Sequence, residues 1–111
     1  MSANYRNAAS RLNERVSIER PVKVLDELGG QQVEWSELAS VWAEVIALTG
    51  SARERVAAKQ TDALAGYRVR IRWRNDVNAT MRLRWRSHLL SIHSLHEHHD
   101  LLDILTYEEG L

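Results

Sequence analysis

The amino-acid sequence predicts a mainly β protein: a small antiparallel β-barrel of about six strands with one inserted helix or loop. Three observations carry that reading. Apolar and charged residues alternate through Tyr67-Arg68-Val69-Arg70-Ile71-Arg72-Trp73-Arg74 and again through Met81-Arg82-Leu83-Arg84-Trp85-Arg86, the period of two that gives a strand one oily and one polar face. Turn-forming clusters at Asp26 to Gly30, Asn75 to Asn78 and His96 to Asp100 separate segments of strand length. Only the stretch from Thr49 to Gly66 favours a helix, and short strands usually hide their edges by closure or by packing as a sandwich.

Residues 1–11 hold Ser2, Asn4, Asn7, Ser10 and two arginines with little apolar content, the pattern of a mobile arm, or a short helix leading in, that a partner would have to order. Residues 12–111 are then a single domain, since a core commonly needs about 100 residues. From Arg15, the alternation of Val16 and Ile18 with Ser17 and Glu19 predicts a first strand, which Pro21 ends or places at an edge. Asp26-Glu27-Leu28-Gly29-Gly30 predicts a hairpin, with Gly-Gly supplying positive φ angles. The returning strand is Gln32 to Trp35, and after Ser36 and Glu37 the β-branched and aromatic content of Val41 to Ile46 predicts another.

Thr49-Gly50-Ser51 breaks that strand, and Ser51 three residues before Glu54 has the spacing of a capping box. A helix is expected there, running to Gly66 as its terminator. The two arginine-rich strands then pair most simply as a hairpin around Asn75 to Asn78. Two further strands, His88 to Leu95 and Leu101 to Tyr107, complete the set.

Composition excludes several functions. The 111 residues carry 15 Lys plus Arg and 15 Asp plus Glu, so no global charge draws the chain to nucleic acid or to acidic membranes. Cysteine is absent, which removes disulfides, thiolate zinc sites and cysteine nucleophiles. No apolar run approaches the roughly 18 residues of a membrane span or the core of a signal peptide. A soluble, cytoplasmically made protein without membrane partners is expected.

Seven arginines, Arg68, Arg70, Arg72, Arg74, Arg82, Arg84 and Arg86, occupy alternate positions of the two charged strands. Side by side they would repel one another unless anions are near. Those anions are open to three readings: carboxylates of the next strand on a solvated face, carboxylates of a neighbouring subunit, or DNA phosphates contacted without regard to sequence. The histidines His88, His93, His96, His98 and His99 invite a metal, but their spacing completes no ligand set, and a solvated hairpin is the better reading. No nucleophile elbow, phosphate-cradling glycine loop or His-Glu-x-x-His is present, so neither catalytic residues nor a cofactor are expected and the chain reads as a non-enzyme. Trp35, Trp42, Trp73 and Trp85 read as core side chains with their N–H groups at the rim, with one or two available to anchor an interface.

In order and spacing these features resemble the phage head-tail joining, or head-closure (stopper), proteins. The residues that carry the resemblance are Leu12-Asn13-Glu14-Arg15-Val16-Ser17-Ile18-Glu19-Arg20, the Asp26 to Gly30 turn and Val33-Glu34-Trp35. Leu38-Ala39-Ser40-Val41-Trp42-Ala43-Glu44-Val45, Gly50 with Glu54, Gln60, and Tyr67 to Arg72 continue it, so that it spans about residues 11 to 107. The resemblance implies a small barrel with a long inserted segment, built as a ring below the portal and its adaptor. Such a ring closes the DNA-filled head and presents a surface to the tail terminator or tail.

Mapped here, the inserted segment is residues 49–66, and Arg53, Arg55 and Lys59 would face double-stranded DNA in the channel. The arginine row is longer than the family's usual Arg-x-Ile-Arg, and the last strand ends in Glu108-Glu109. The seven arginines of that row are the candidate subunit or partner interface. Localisation in a virion is implied, whether of a phage or of a phage-like gene transfer particle, assembled in a host cytoplasm. The alternative is a small basic-faced barrel that binds nucleic acid as a monomer.

Overall fold

A computed structural model describes residues 11–49 and 63–109, with side chains from 66 to 108 in the second stretch. Six strands run through them: β1 (Glu14–Leu25), β2 (Gln31–Ala47), β3 (Ala63–Arg72), β4 (Arg82–Trp85), β5 (His88–His98) and β6 (Leu101–Glu109). Every neighbouring pair is antiparallel, and the order β1-β2-β3-β6-β5-β4 closes on itself through β4 against β1. The fold class read from the alternation is the one observed. Its inner face is Val16, Ile18, Ala43, Val69, Ile71, Leu83, Leu90, Ile92, Leu102 and Ile104, all buried. Burial of this apolar set, at about 25 cal/mol per Å², is what holds the ring closed. One hydroxyl is buried with them: Thr106 donates to the Tyr67 carbonyl at 3.0 Å, which removes the cost of an unpaired polar group.

Four local expectations are corrected or narrowed. The two arginine strands do not form a hairpin: β3 lies between β2 and β6, while β4 lies between β1 and β5. Residues 73–81 are too long a link for the roughly two to five residues of an ordinary hairpin. The Trp73 N–H also donates to the Asp100 carbonyl, tying the end of β3 to the β5–β6 turn. Separation removes the repulsion that facing arginine rows would create.

Of the two readings of Pro21 the edge position holds: it lies within β1, opposite Trp35, on a stretch where β2 is the one paired neighbour. A missing N–H is tolerated in such an edge position. Gly66 is not a helix terminator but a residue of β3 opposite Tyr107. A Cβ there would come within 2.9 Å of Leu48 Cδ1 and 3.3 Å of the Thr106 carbonyl oxygen, so glycine lets the strands approach. The expected helix otherwise falls on residues 50–62, outside the described residues, as do residues 1–10 of the expected arm. The fourth correction, the placement of the tryptophans, belongs to the surface described below.

β1 and β2 are longer than the barrel needs. β1 meets β4 only over Ser17 to Glu19, and β2 meets β3 only over Ala43 to Ala47. Beyond Glu19 and Glu37 the two strands pair only with each other, out to Leu25 opposite Gln31. At about 3.3 Å per residue this is an arm roughly 20 Å long, in keeping with overall dimensions of 56 × 28 × 22 Å. Where the arm leaves the barrel, Leu38 is an extra residue between the Ile18–Ala39 and Glu19–Glu37 pairs, a bulge of the kind that re-aims a strand.

The arm's turn is built by Asp26, whose Oδ1 accepts the N–H groups of Leu28 at 2.9 Å and Gly30 at 2.7 Å. Of the two glycines in this turn, Gly29 and not Gly30 takes a positive φ, 83°. A Cβ at Gly30 would lie 2.8 Å from an Asp26 carboxylate oxygen and would push that carboxylate off the turn it holds.

Candidate subunit and partner interface

Strand parity turns the arginines outward, and strand order decides what each one meets. Arg70 stands between Glu44 on β2 and Asp103 on β6, directly opposite both. Its Nε and Nη2 donate to the two Asp103 oxygens at 2.6 and 3.1 Å, and Glu44 lies 3.9 Å away. The Asp103 hydrogen bonds raise the Arg70 pKa against the opposing effect of burial. Such a bidentate, half-buried pair is among the stronger ion pairs a surface offers.

On β4, Arg82 and Arg84 share the Glu19 carboxylate of β1, at 2.7 and 3.1 Å. Partial burial opposes the charge on Glu19, but these hydrogen bonds outweigh it and hold its pKa below the ordinary value. Arg86 reaches Glu14 at 3.1 Å, and Arg74 pairs with nearby Asp76 at 2.8 Å.

Five of the seven arginines are therefore paired with carboxylates of the same chain, Arg82 and Arg84 sharing one. The remaining two differ. Arg72 has no carboxylate partner among the described residues, and Arg68, beside Ile46 and Leu105, keeps a buried Nε without a hydrogen-bond partner. Arg53, Arg55 and Lys59 lie outside the described residues.

Core placement fails for three tryptophans: Trp35 is 38% exposed, Trp73 46% and Trp42 54%. Trp42 lies between Val41, packed against the core, and buried Ala43, so the alternation that turns those two inward turns it outward. The Arg15 guanidinium sits over the Trp42 ring at 4.6 Å, and that of Arg82 over Trp35 at 4.2 Å. Both distances are within the range of cation–π attraction.

Around Trp42 the surface dips into a depression of about 240 Å³ lined by Arg15, Ser40, Val41, Trp42, Arg72 and Arg74. No carboxylate is among its lining residues. Trp42 was one of the four tryptophans read from sequence as core or interface anchors, whereas Arg15 was not a candidate site residue, and the parity of Val41-Trp42-Ala43 was there to be read.

Trp85 behaves as expected. It packs against the core, meets the Tyr67 ring edge-on at 5.4 Å and stacks on His88 at 5.1 Å. Its Nε1 donates to Glu14 at 2.9 Å, the largest influence lowering that carboxyl's pKa. His88 Nδ1 lies 2.6 Å from Glu108, and His98 and His99 meet edge to face. Among the described residues no three histidines or acids converge on one point. The surface offers interface chemistry instead: exposed indole rings flanked by guanidinium groups, a combination enriched where proteins meet.

Comparison with known proteins bears on which proteins those are. No curated protein matches the sequence. Among solved structures, protein SF1141 of Shigella flexneri 2a, determined in solution, superposes with a TM-score of 0.69 and 25% identity, over 88% of this chain and 93% of that one. A chain from the virion of a native gene transfer agent particle superposes with a TM-score of 0.61 and 25% identity, over 88% of this chain and 94% of that one. The model of the phage head completion protein family matches residues 8–109. With nearly the whole barrel and its arm inside that match, the chain belongs to the phage head completion proteins, structural components of the virion.

Proposed function

We propose that this protein forms a ring below the portal and its adaptor, closing the DNA-filled head and presenting the surface to which the tail attaches. The observation that carries this reading is the likeness to a chain of an assembled gene transfer particle over almost the full length of both. The surface supports it: exposed Trp42, Trp35 and Trp73 beside cations are costly to leave against water and useful between subunits. The arginines of β3 and its flank and those of β4 and its flank, three strands apart in the six-strand ring, form two contact surfaces, with most of them already oriented by internal carboxylates. Arg68 and Arg72 have charge to offer a partner's acids.

The inserted segment would face the channel, with Arg53, Arg55 and Lys59 against DNA phosphates independently of sequence. The role is non-enzymatic. A monomeric nucleic-acid-binding module draws less support, because arginines already held by carboxylates neutralise few phosphates. The test is deletion of the gene. Heads that package DNA and then lose it, with unattached tails beside them, are expected; tailed particles that still deliver DNA would refute the reading.

A further inference from the structure

We propose that copies of this chain join head to tail, the tip of the β1–β2 arm of one copy seating in the Arg15–Trp42–Arg72 depression of the next. The inference rests on the ring reading above and adds which surfaces meet. Its first support is the character of the arm's tip. Leu25 is 75% exposed, Leu28 97% and Val33 54%, three large apolar side chains within one turn and its flanks. A single exposed leucine is ordinary, but three large exposed apolar side chains on one short tip mark a contact.

Charge gives the second support. From Asp26 to Glu34 the turn and the returning strand carry three carboxylates and no cation, against the single Lys23 opposite Val33 on the β1 side. Asp26 is occupied by its own turn, whereas exposed Glu27 and Glu34 have no ion pair among the described residues. The depression is the complement. Arg15 and Arg72 lack carboxylate partners among the described residues, and the exposed indole of Trp42 supplies an apolar wall. At about 240 Å³ it is smaller than the roughly 300 Å³ at which small-molecule pockets begin. It suits one or two side chains of a protein tip instead.

Geometry gives the third. Tip and depression lie at opposite ends of one β ribbon, separated by the residues from Arg15 to Leu25, about 33 Å at 3.3 Å per residue. A chain cannot therefore fill its own depression with its own tip. Two different surfaces in contact make a heterologous interface, the kind that propagates into a ring or filament. Two tips facing each other would set carboxylate against carboxylate, which disfavours a symmetric dimer through this arm.

The native chain has no cysteine, so cross-linking gives a clean test. Leu28→Cys and Ser40→Cys are placed together in the full chain, and oxidation is followed both in purified protein and in particles. A ladder of multimers is expected, and mixing the single variants gives the Leu28→Cys to Ser40→Cys heterodimer. Adding Arg72→Glu lowers the ladder at least about tenfold through like-charge contact, and Glu27→Arg with Glu34→Arg restores it. Unchanged melting of each variant shows that the fold is intact.

Particles that contain the chain but give no ladder would overturn the contact, as would dimers formed by Leu28→Cys alone. Particles from which the unmodified chain is absent would sink the ring reading instead. In that case the ladder in purified protein still decides the contact, and its absence there overturns it.

Discussion

The body of the barrel and the arm that projects from it are made of the same two strands, yet they follow opposite rules. In the body, Val16, Ile18 and Ala43 are almost wholly buried, because β3, β4, β5 and β6 complete a ring around them. A few residues on, Leu25 and Val33 stand in solvent, because the arm has only two strands and no second layer. Charge divides in the same way: Glu14, Glu19, Glu44 and Asp103 of the body each meet an arginine, whereas Glu27 and Glu34 of the arm meet none among the described residues. Alternation specifies a strand, but burial requires something to lie against. The body spends its side chains on folding, and the arm keeps its own for a partner.

The largest expected effect breaks the comparison on the apolar side. Leu83→Ala should cost about 2–5 kcal/mol by removing a fully buried side chain. Leu28→Ser should change stability by no more than about 0.5 kcal/mol. Urea unfolding of both variants checks this, and comparable losses would mean that the arm is packed.

Next comes the ion pair on the barrel wall. Asp103→Ala leaves Arg70 with only the distant Glu44 and should cost about 1–3 kcal/mol. Glu34→Ala on the arm should be neutral by the same measurement.

A smaller effect sharpens the comparison through pH. Glu19 has a lowered pKa in the folded protein, so its ionised form stabilises the fold above its ordinary value of 4.5, and that contribution is lost as pH falls through the folded value. Glu19→Gln should cost about 1 kcal/mol near neutral pH, and the difference should shrink in acid. Thermal melting from pH 7 to pH 3 reads it; a constant difference would contradict the pairing with Arg82 and Arg84.

Strands were legible in the sequence because alternation is local. Tyr67 to Arg72 and Arg82 to Trp85 are strands as read, with Trp73, Arg74, Met81 and Arg86 of the same alternation falling just outside them; the turn at Asp26 to Gly30 falls where Gly and Asp marked it, and the His96 to Asp100 turn narrows to His99-Asp100. Register was not legible. Two similar strands in succession look like a hairpin, and only the ring's topology sends β3 to β6 and β4 to β1.

The candidate site followed the same division. The arginines were visible, but their partners were not, since Glu14, Glu19 and Asp103 lie far from them in sequence. The tryptophans were visible as apolar, but their side of the sheet needed parity with Val41 and Ala43. The arm was hidden because strand pattern alone does not tell where neighbouring strands stop.

Amide hydrogen exchange, read in the isolated chain and again in assembled particles, bears on the division between body and arm. Amides of Val16, Val69 and Leu83 should be strongly protected in both states. Those of Val22, Val33 and Glu34 should exchange readily in the isolated chain and slow markedly on assembly. Arm amides as protected as the barrel's before assembly, or unchanged after it, would show that the arm belongs to the folded body and is no contact surface.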